Sequence, residues 1–140
     1  MKRYLLDTNI ITFLLLSELD NITKETNEVL NEYGNQLYTS SICVMELVQL
    51  YRIGKIKTKK YKTTNALIEA IESEFFIKIL PFAKNHTQTL SKLKVSNGHN
   101  DPFDHSIISH AITNKLILVS SDGKFKDYTK QNLDFAFNKR

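Results

Sequence analysis

The chain is poor in the residues that punctuate a β-rich fold: four glycines and two prolines in 140 residues. A β-sandwich needs a turn every few residues, so this scarcity argues against one, and equally against a flexible linker. Cysteine is nearly absent too. Cys43 stands alone, so no internal disulfide can form and nothing points to an oxidising compartment. No uninterrupted apolar run approaches the roughly 20 residues that a membrane helix needs. The opening MKRYLLDTN is basic, but Asp7 breaks its apolar run after Tyr4–Leu6, which argues against a signal peptide and makes the cytoplasm the expected location. What is present is ordinary for a folded domain: 41% hydrophobic and 24% charged residues. The length suits one domain spanning 1–140.

Nineteen basic against fifteen acidic side chains give a net charge of +4, a mild bias toward a polyanionic partner. The distribution says more. The segment RIGKIKTKKYK holds six cations, Arg52, Lys55, Lys57, Lys59, Lys60 and Lys62, and no anion. It reads either as a solvated loop between helices or as a patch contacting phosphates, with Tyr51 and Tyr61 as packing residues or base stackers.

Short apolar strands are expected at Arg3–Leu6, Leu37–Thr39, Phe75–Leu80, Leu116–Val119 and Leu133–Phe137. Helices are expected near Ile10–Leu16, Lys24–Tyr33, Ser41–Tyr51, Thr64–Glu74, Ala83–Lys94 and Pro102–Asn114, with a helical turn at Lys124–Tyr128. Alternating strands and helices predict an α/β fold, a parallel sheet of about four to five strands covered by helices as a three-layer sandwich. Ligands of such sheets bind at the carboxyl ends of the strands.

Acidic residues fall at those ends. Asp7 follows the strand YLL, and Asp122 lies just past LILV. Asp101 and Asp104 open the helix DPFDHSIISHA, and Glu46 lies within SSICVMELVQL. Each has a structural explanation. Asp7 can cap a helix, Asp101 with Pro102 makes a good N-cap, and Asp122 before Gly123 suits a turn. Glu46 and Asp104 fit such roles less well, because each shares a helical face with apolar residues: Ile42, Cys43 and Leu50 for one, Ile107, Ile108 and Ala111 for the other. Buried carboxylates are costly unless paired or metal-bound. Two of them 5 Å apart repel by about 3 kcal/mol at an effective dielectric near 20. Gathered together, these acids would call for a divalent cation, and hard oxygen ligands favour Mg²⁺ or Mn²⁺ over zinc. His99, His105 and His110 have no spacing that suits zinc, and Cys43 reads as a core residue.

YLLDTNI (4–10), SSICVMEL (40–47), DPFDHSIISHA (101–111) and LILVSSDGKF (116–125) together resemble, in order and separation, the four motifs of PIN-domain ribonucleases, most closely VapC-type toxins of toxin–antitoxin pairs. The resemblance spans Arg3 to about Phe135. It implies a PIN-like sandwich and Mg²⁺-dependent endoribonuclease activity, with Mn²⁺ as a substitute. By position the catalytic acids would be Asp7, Glu46, Asp104 and Asp122. Asp7, Asp104 and Asp122 would hold the metal, with Asp101 as a further ligand or a cap. Asn9 and Ser120 would support the acids by hydrogen bonds. The basic segment and His105 would contact RNA, although His105 stands where this motif commonly has arginine. Partners implied are RNA, a cognate antitoxin and a second copy in a homodimer. The apolar run Ile10–Leu16 is either a buried central helix or a face for one of these partners. A catalytically inactive PIN domain that binds RNA or protein is the alternative, although all four acidic positions are filled. An aspartate phosphatase would want an acid where Asn9 stands, and a phosphoacceptor domain would want one where Pro81 follows the middle strand.

Overall fold

The computed structural model describes residues 1–140 and contains one five-stranded, wholly parallel sheet in the order β3-β2-β1-β4-β5. The strands are β1 (Arg3–Leu6), β2 (Gln36–Ser40), β3 (Lys78–Leu80), β4 (Ile117–Ser120) and β5 (Asp134–Phe137). Between them run α1 (Thr8–Leu15), α2 (Lys24–Asn31), α3 (Ser41–Arg52), α4 (Thr64–Ser73), α5 (Lys84–Lys92) and α6 (Pro102–Asn114), with 3-10 turns at Leu19–Asn21 and Gly123–Gln131. Successive residues of a strand point to opposite faces. Leu5 and Leu6 of β1, and Leu118 and Val119 of β4, are all essentially inaccessible, so both faces of the central strands are covered. The three-layer α/β fold expected from the sequence is the one observed.

Helix α1 is a buried central helix. Ile10, Ile11, Phe13 and Leu15 are enclosed, and α1 packs on α3, α4 and β4. Its apolar run is therefore mostly enclosed by the chain itself, as the buried-helix reading of Ile10–Leu16 has it, with Leu14 and Leu16 half-buried.

Element ends differ from expectation for local reasons. The first helix starts at Thr8, two residues early, because the Asp7 carboxylate accepts from the Thr8 amide and caps it. Helix α2 ends at Asn31, since Glu32 is already extended and Tyr33 is fully exposed. The strand expected over Phe75–Leu80 shrinks to Lys78–Leu80. Phe75 and Ile77 donate back to carbonyls of α4, and Phe76 takes a left-handed conformation at φ 56°, so these residues finish a helix.

The strand order sets the place of the site. From β1 the chain runs outward through β2 and β3, then returns to the other side of β1 for β4 and β5. The connection reverses between β1 and β4, and a crevice opens at their carboxyl ends. The Asp7 amide donates to the Val119 carbonyl at 2.9 Å, locking the first residue after β1 onto β4 at that point.

Candidate active site

Asp7, Glu46, Asp101, Asp104 and Asp122 all line one cavity of about 440 Å³ at this crevice. Separate stretches of the chain deliver them. Asp7 leaves β1, Asp122 follows β4 and caps the second 3-10 turn, Glu46 sits in the second turn of α3, and Asp101 and Asp104 open α6. Three of the five also complete helical ends. Asp7 accepts from the Thr8 amide at 2.8 Å, Asp101 from Phe103 at 2.9 Å and Asp122 from Lys124 at 2.9 Å. Capping and convergence coexist: each side chain finishes its own turn and still borders the same space.

Asp7 is the most constrained. Its Oδ2 accepts from the Ser120 hydroxyl at 2.6 Å, and that hydroxyl in turn accepts from the Asp122 amide at 3.0 Å and from Asn9 Nδ2 at 3.1 Å. Asn9 Oδ1 accepts from the Ser121 amide. Asn9 and Ser120 thus bridge the ends of β1 and β4 and fix the Asp7 carboxyl.

Burial dominates the electrostatics. It pushes the Asp7 carboxyl from 3.8 up to about 7, against the hydrogen bonds from Ser120 and Thr8, and the charges of Asp104 and Glu46 push the same way. Burial also raises Glu46, against a hydrogen bond from the Thr8 hydroxyl, with the charges of Asp104 and Asp101 adding to the rise. Asp104 is raised by burial, opposed by the hydrogen bond from His99. These carboxylates sense one another across the cavity, so a cation placed there would favour the charged form of all of them.

The donors fit such a cation in kind. They are hard oxygens, and the Thr8 hydroxyl is buried in the cavity wall beside them. No three histidine, cysteine or acidic side chains close tightly enough to enclose an ion unaided. Mg²⁺ does not require that, because it keeps several waters and is commonly held by one or two carboxylates.

The basic residues separate. Lys55 lines the cavity, joined there by Lys124 and by Arg140, whose guanidinium lies 5.1 Å from the centre of the Phe13 ring. Arg52 borders an adjoining groove, Lys60 is paired with Glu74, and Lys57, Lys59 and Lys62 are exposed on the loop beyond. Tyr61 is buried and donates to Glu74 at 2.8 Å, while the Tyr51 hydroxyl donates to the Tyr61 carbonyl, so neither ring is free to stack on a base. His105 also departs from expectation. It is buried, turned into the protein, with Nε2 3.1 Å from the Tyr128 hydroxyl, and presents nothing to RNA. Position i+1 from Asp104 leaves the cavity face of α6 because successive helical residues diverge by about 100°. Cys43 is a core residue whose thiol burial pushes up to about 12, far from a nucleophile.

Three contributors escaped the sequence reading. Lys124 adjoins the Asp122 motif and was within reach of it. Arg140 carries no pattern signal. His99 lies five residues before Asp104, outside any helical spacing, yet its Nε2 is 2.8 Å from Asp104 Oδ2.

The model of the PIN domain family matches residues 4–131. Among solved structures, VapBC2 from Rickettsia felis bound to a DNA fragment from their promoter is 26% identical, with 96% of this chain and 98% of that chain covered at a TM-score of 0.66. VapBC-1 from nontypeable Haemophilus influenzae is 19% identical, covering 99% of each chain at a TM-score of 0.63. VapBC-5 from Mycobacterium tuberculosis, of the VapBC family of toxin-antitoxin systems, is 15% identical, covering 98% and 99% at a TM-score of 0.62. Among curated proteins none matches by sequence.

Proposed function

The chain belongs to the PIN domain family, and we propose that it is a divalent-metal-dependent endoribonuclease acting as the toxin of a toxin–antitoxin pair. The observation that carries this reading is the convergence of the buried Asp7 carboxyl with four further acidic residues on one cavity. Such a cluster is tolerable for a folding protein and useful to an enzyme when a cation shares the space.

Asp7 and Asp104 would hold Mg²⁺ or Mn²⁺, with Asp122 completing the set and Asp101 at its edge. When bound, the ion supplies Lewis-acid polarisation of a phosphoryl oxygen and stabilises charge in the transition state. Glu46 orients the attacking water and accepts its proton, a role that its upward shift brings closer to neutral pH. Ser120 and Asn9 keep Asp7 in one orientation, and Lys55, Lys124 and Arg140 offset the charge of the RNA backbone at the rim. Lys57, Lys59 and Lys62 extend that path along the exposed loop.

An antitoxin partner is supported by the similarity to VapBC structures and by a groove beside the acidic cavity. Met45 and Phe103 are exposed along that groove, and Val48 and Leu50 line it. A homodimer is part of the same proposal, and light scattering on the purified chain at low micromolar concentration should return twice its 16.2 kDa.

A fluorescent RNA cleavage assay tests the activity. Cutting should require Mg²⁺ or Mn²⁺, stop in EDTA, and disappear in Asp7→Asn and Asp104→Asn. Either variant cutting at the parental rate would remove the assignment. RNA binding with no metal-dependent cutting would favour the inactive binding module.

A further inference from the structure

As Ser120 holds Asp7, so His99 holds Asp104 from outside the cavity. It lies in the turn before α6, where Asn97 and Gly98 take left-handed conformations at φ 49° and 72° and reverse the chain. The reversal brings the imidazole onto Asp104, with Nε2 2.8 Å from Oδ2. The His99 side chain is only 7% exposed, although the loop around it is open to solvent. Three aromatic rings enclose it: His105 at 5.2 Å between centroids, Tyr128 at 5.6 Å and Phe125 at 6.4 Å, each near edge-on. His99 does not line the cavity, and its Nδ1 is buried with no hydrogen-bond partner.

That arrangement costs more than a loop contact needs. A polar nitrogen is left unpaired and a ring is desolvated in order to aim one N–H at one carboxylate oxygen. Because a carboxylate only accepts, the Nε2 atom is the donor in this pair. The other Asp104 oxygen, Oδ1, takes no donor from the protein, while the residue borders the cavity.

We propose that His99 is a positioning residue, one that clamps Asp104 through Oδ2 so that Oδ1 is presented to a divalent cation in the cavity. The proposal rests on the metal-dependent reading of this site. Hydrogen bonds of this kind, made to a ligand from outside the metal's own shell, set the orientation and affinity of the ligand they hold.

The test compares two substitutions in the full chain. His99→Phe keeps the ring and removes the donor. His99→Gln keeps an amide N–H and removes the ring. Mn²⁺ affinity is read from the electron paramagnetic resonance signal of free Mn²⁺, alongside the metal-free melting temperature. His99→Phe should weaken Mn²⁺ binding by about 10–100-fold, and His99→Gln should restore most of it even where its melting temperature is lower. At saturating Mn²⁺ the KM for RNA should stay at the parental value. Parental Mn²⁺ affinity in His99→Phe overturns the proposal. Equal loss in both variants also overturns it, because packing rather than the donor would then matter. A parental protein that binds no Mn²⁺ sinks the metal reading itself, and this proposal with it, which separates the two failures.

Discussion

At the scale of single residues, two buried groups pull the acid stability of this protein in opposite directions. Asp7 titrates near 7 when folded and near 3.8 when unfolded. The folded state therefore binds more protons between those values, and stability falls as pH rises through that window, by about 4 kcal/mol at about 1.4 kcal/mol per pH unit. His110 does the reverse. Fully buried, with Nδ1 2.8 Å from the Ser40 hydroxyl and its ring 4.0 Å from that of His86, it is depressed from 6.5 to about 4, first by burial and then by His86. Its contribution is complete above 6.5 and is lost as pH falls toward 4, by about 3 kcal/mol. Urea denaturation of the metal-free protein from pH 4 to 8 should accordingly show a shallow profile between 4 and 6.5. Asp7→Asn should turn it into a rise with pH, and His110→Gln into a fall. A parental profile in the Asp7→Asn protein would show that this carboxyl is not raised. Whether an acid is buried this deeply is not written in the sequence. YLLDTN gives a carboxylate after a strand, and only the closure of β4, with Ser120 beneath it, makes that position dry.

Among the elements, the strands and helices nearest the site were the most legible. β1, β4 and α6 have unbroken apolar patterns and strong caps, and the structure places them within a residue of expectation. Less was legible where tertiary contacts decide an end. Phe75 and Ile77 have the side chains of a strand but spend their amides on α4. The direction of His105 depends on the second 3-10 turn, which is longer than the sequence suggests and brings Tyr128 beneath α6. Tyr128 joins three elements: its hydroxyl accepts from the Ser96 amide at 3.3 Å and lies 3.1 Å from His105 Nε2, fully buried. Tyr128→Phe removes one oxygen and leaves the buried His105 nitrogen unpaired, so unfolding free energy should fall by about 1–3 kcal/mol. No change in urea midpoint would mean that His105 finds another partner. Since the same ring walls in His99, this variant should also loosen the turn before α6, seen as faster amide exchange at residues 96–100.

For the whole molecule, the site exists because the sheet order reverses between β1 and β4 and brings together residues separated by more than a hundred positions. The acids that line the cavity were all named from the sequence. Their grouping there required the strand order, and the rim cation Arg140, which carries no pattern signal, required the coordinates. That separation predicts a division of labour in RNA binding. Lys55→Ala, at the cavity, should change cleavage and binding together. Reversing Lys57, Lys59 and Lys62 to Glu should mainly weaken binding and flatten its salt dependence, by about 0.7 in log–log slope for each phosphate that these cations no longer neutralise. Equal effects of both changes on the cleavage step would argue against this geometry. The claim beneath all of this is that the acidic cavity is a place for a divalent cation, and thermal melting at pH 8 with and without Mn²⁺ reaches it most directly. A hundredfold excess over Kd should stabilise the parental protein by about 2.7 kcal/mol, on the order of 10 °C for a chain of this size. Asp7→Asn should melt higher than the parental protein without metal and respond little to Mn²⁺. A parental melting temperature indifferent to Mn²⁺, together with a metal-free Asp7→Asn protein that melts lower, would contradict the account.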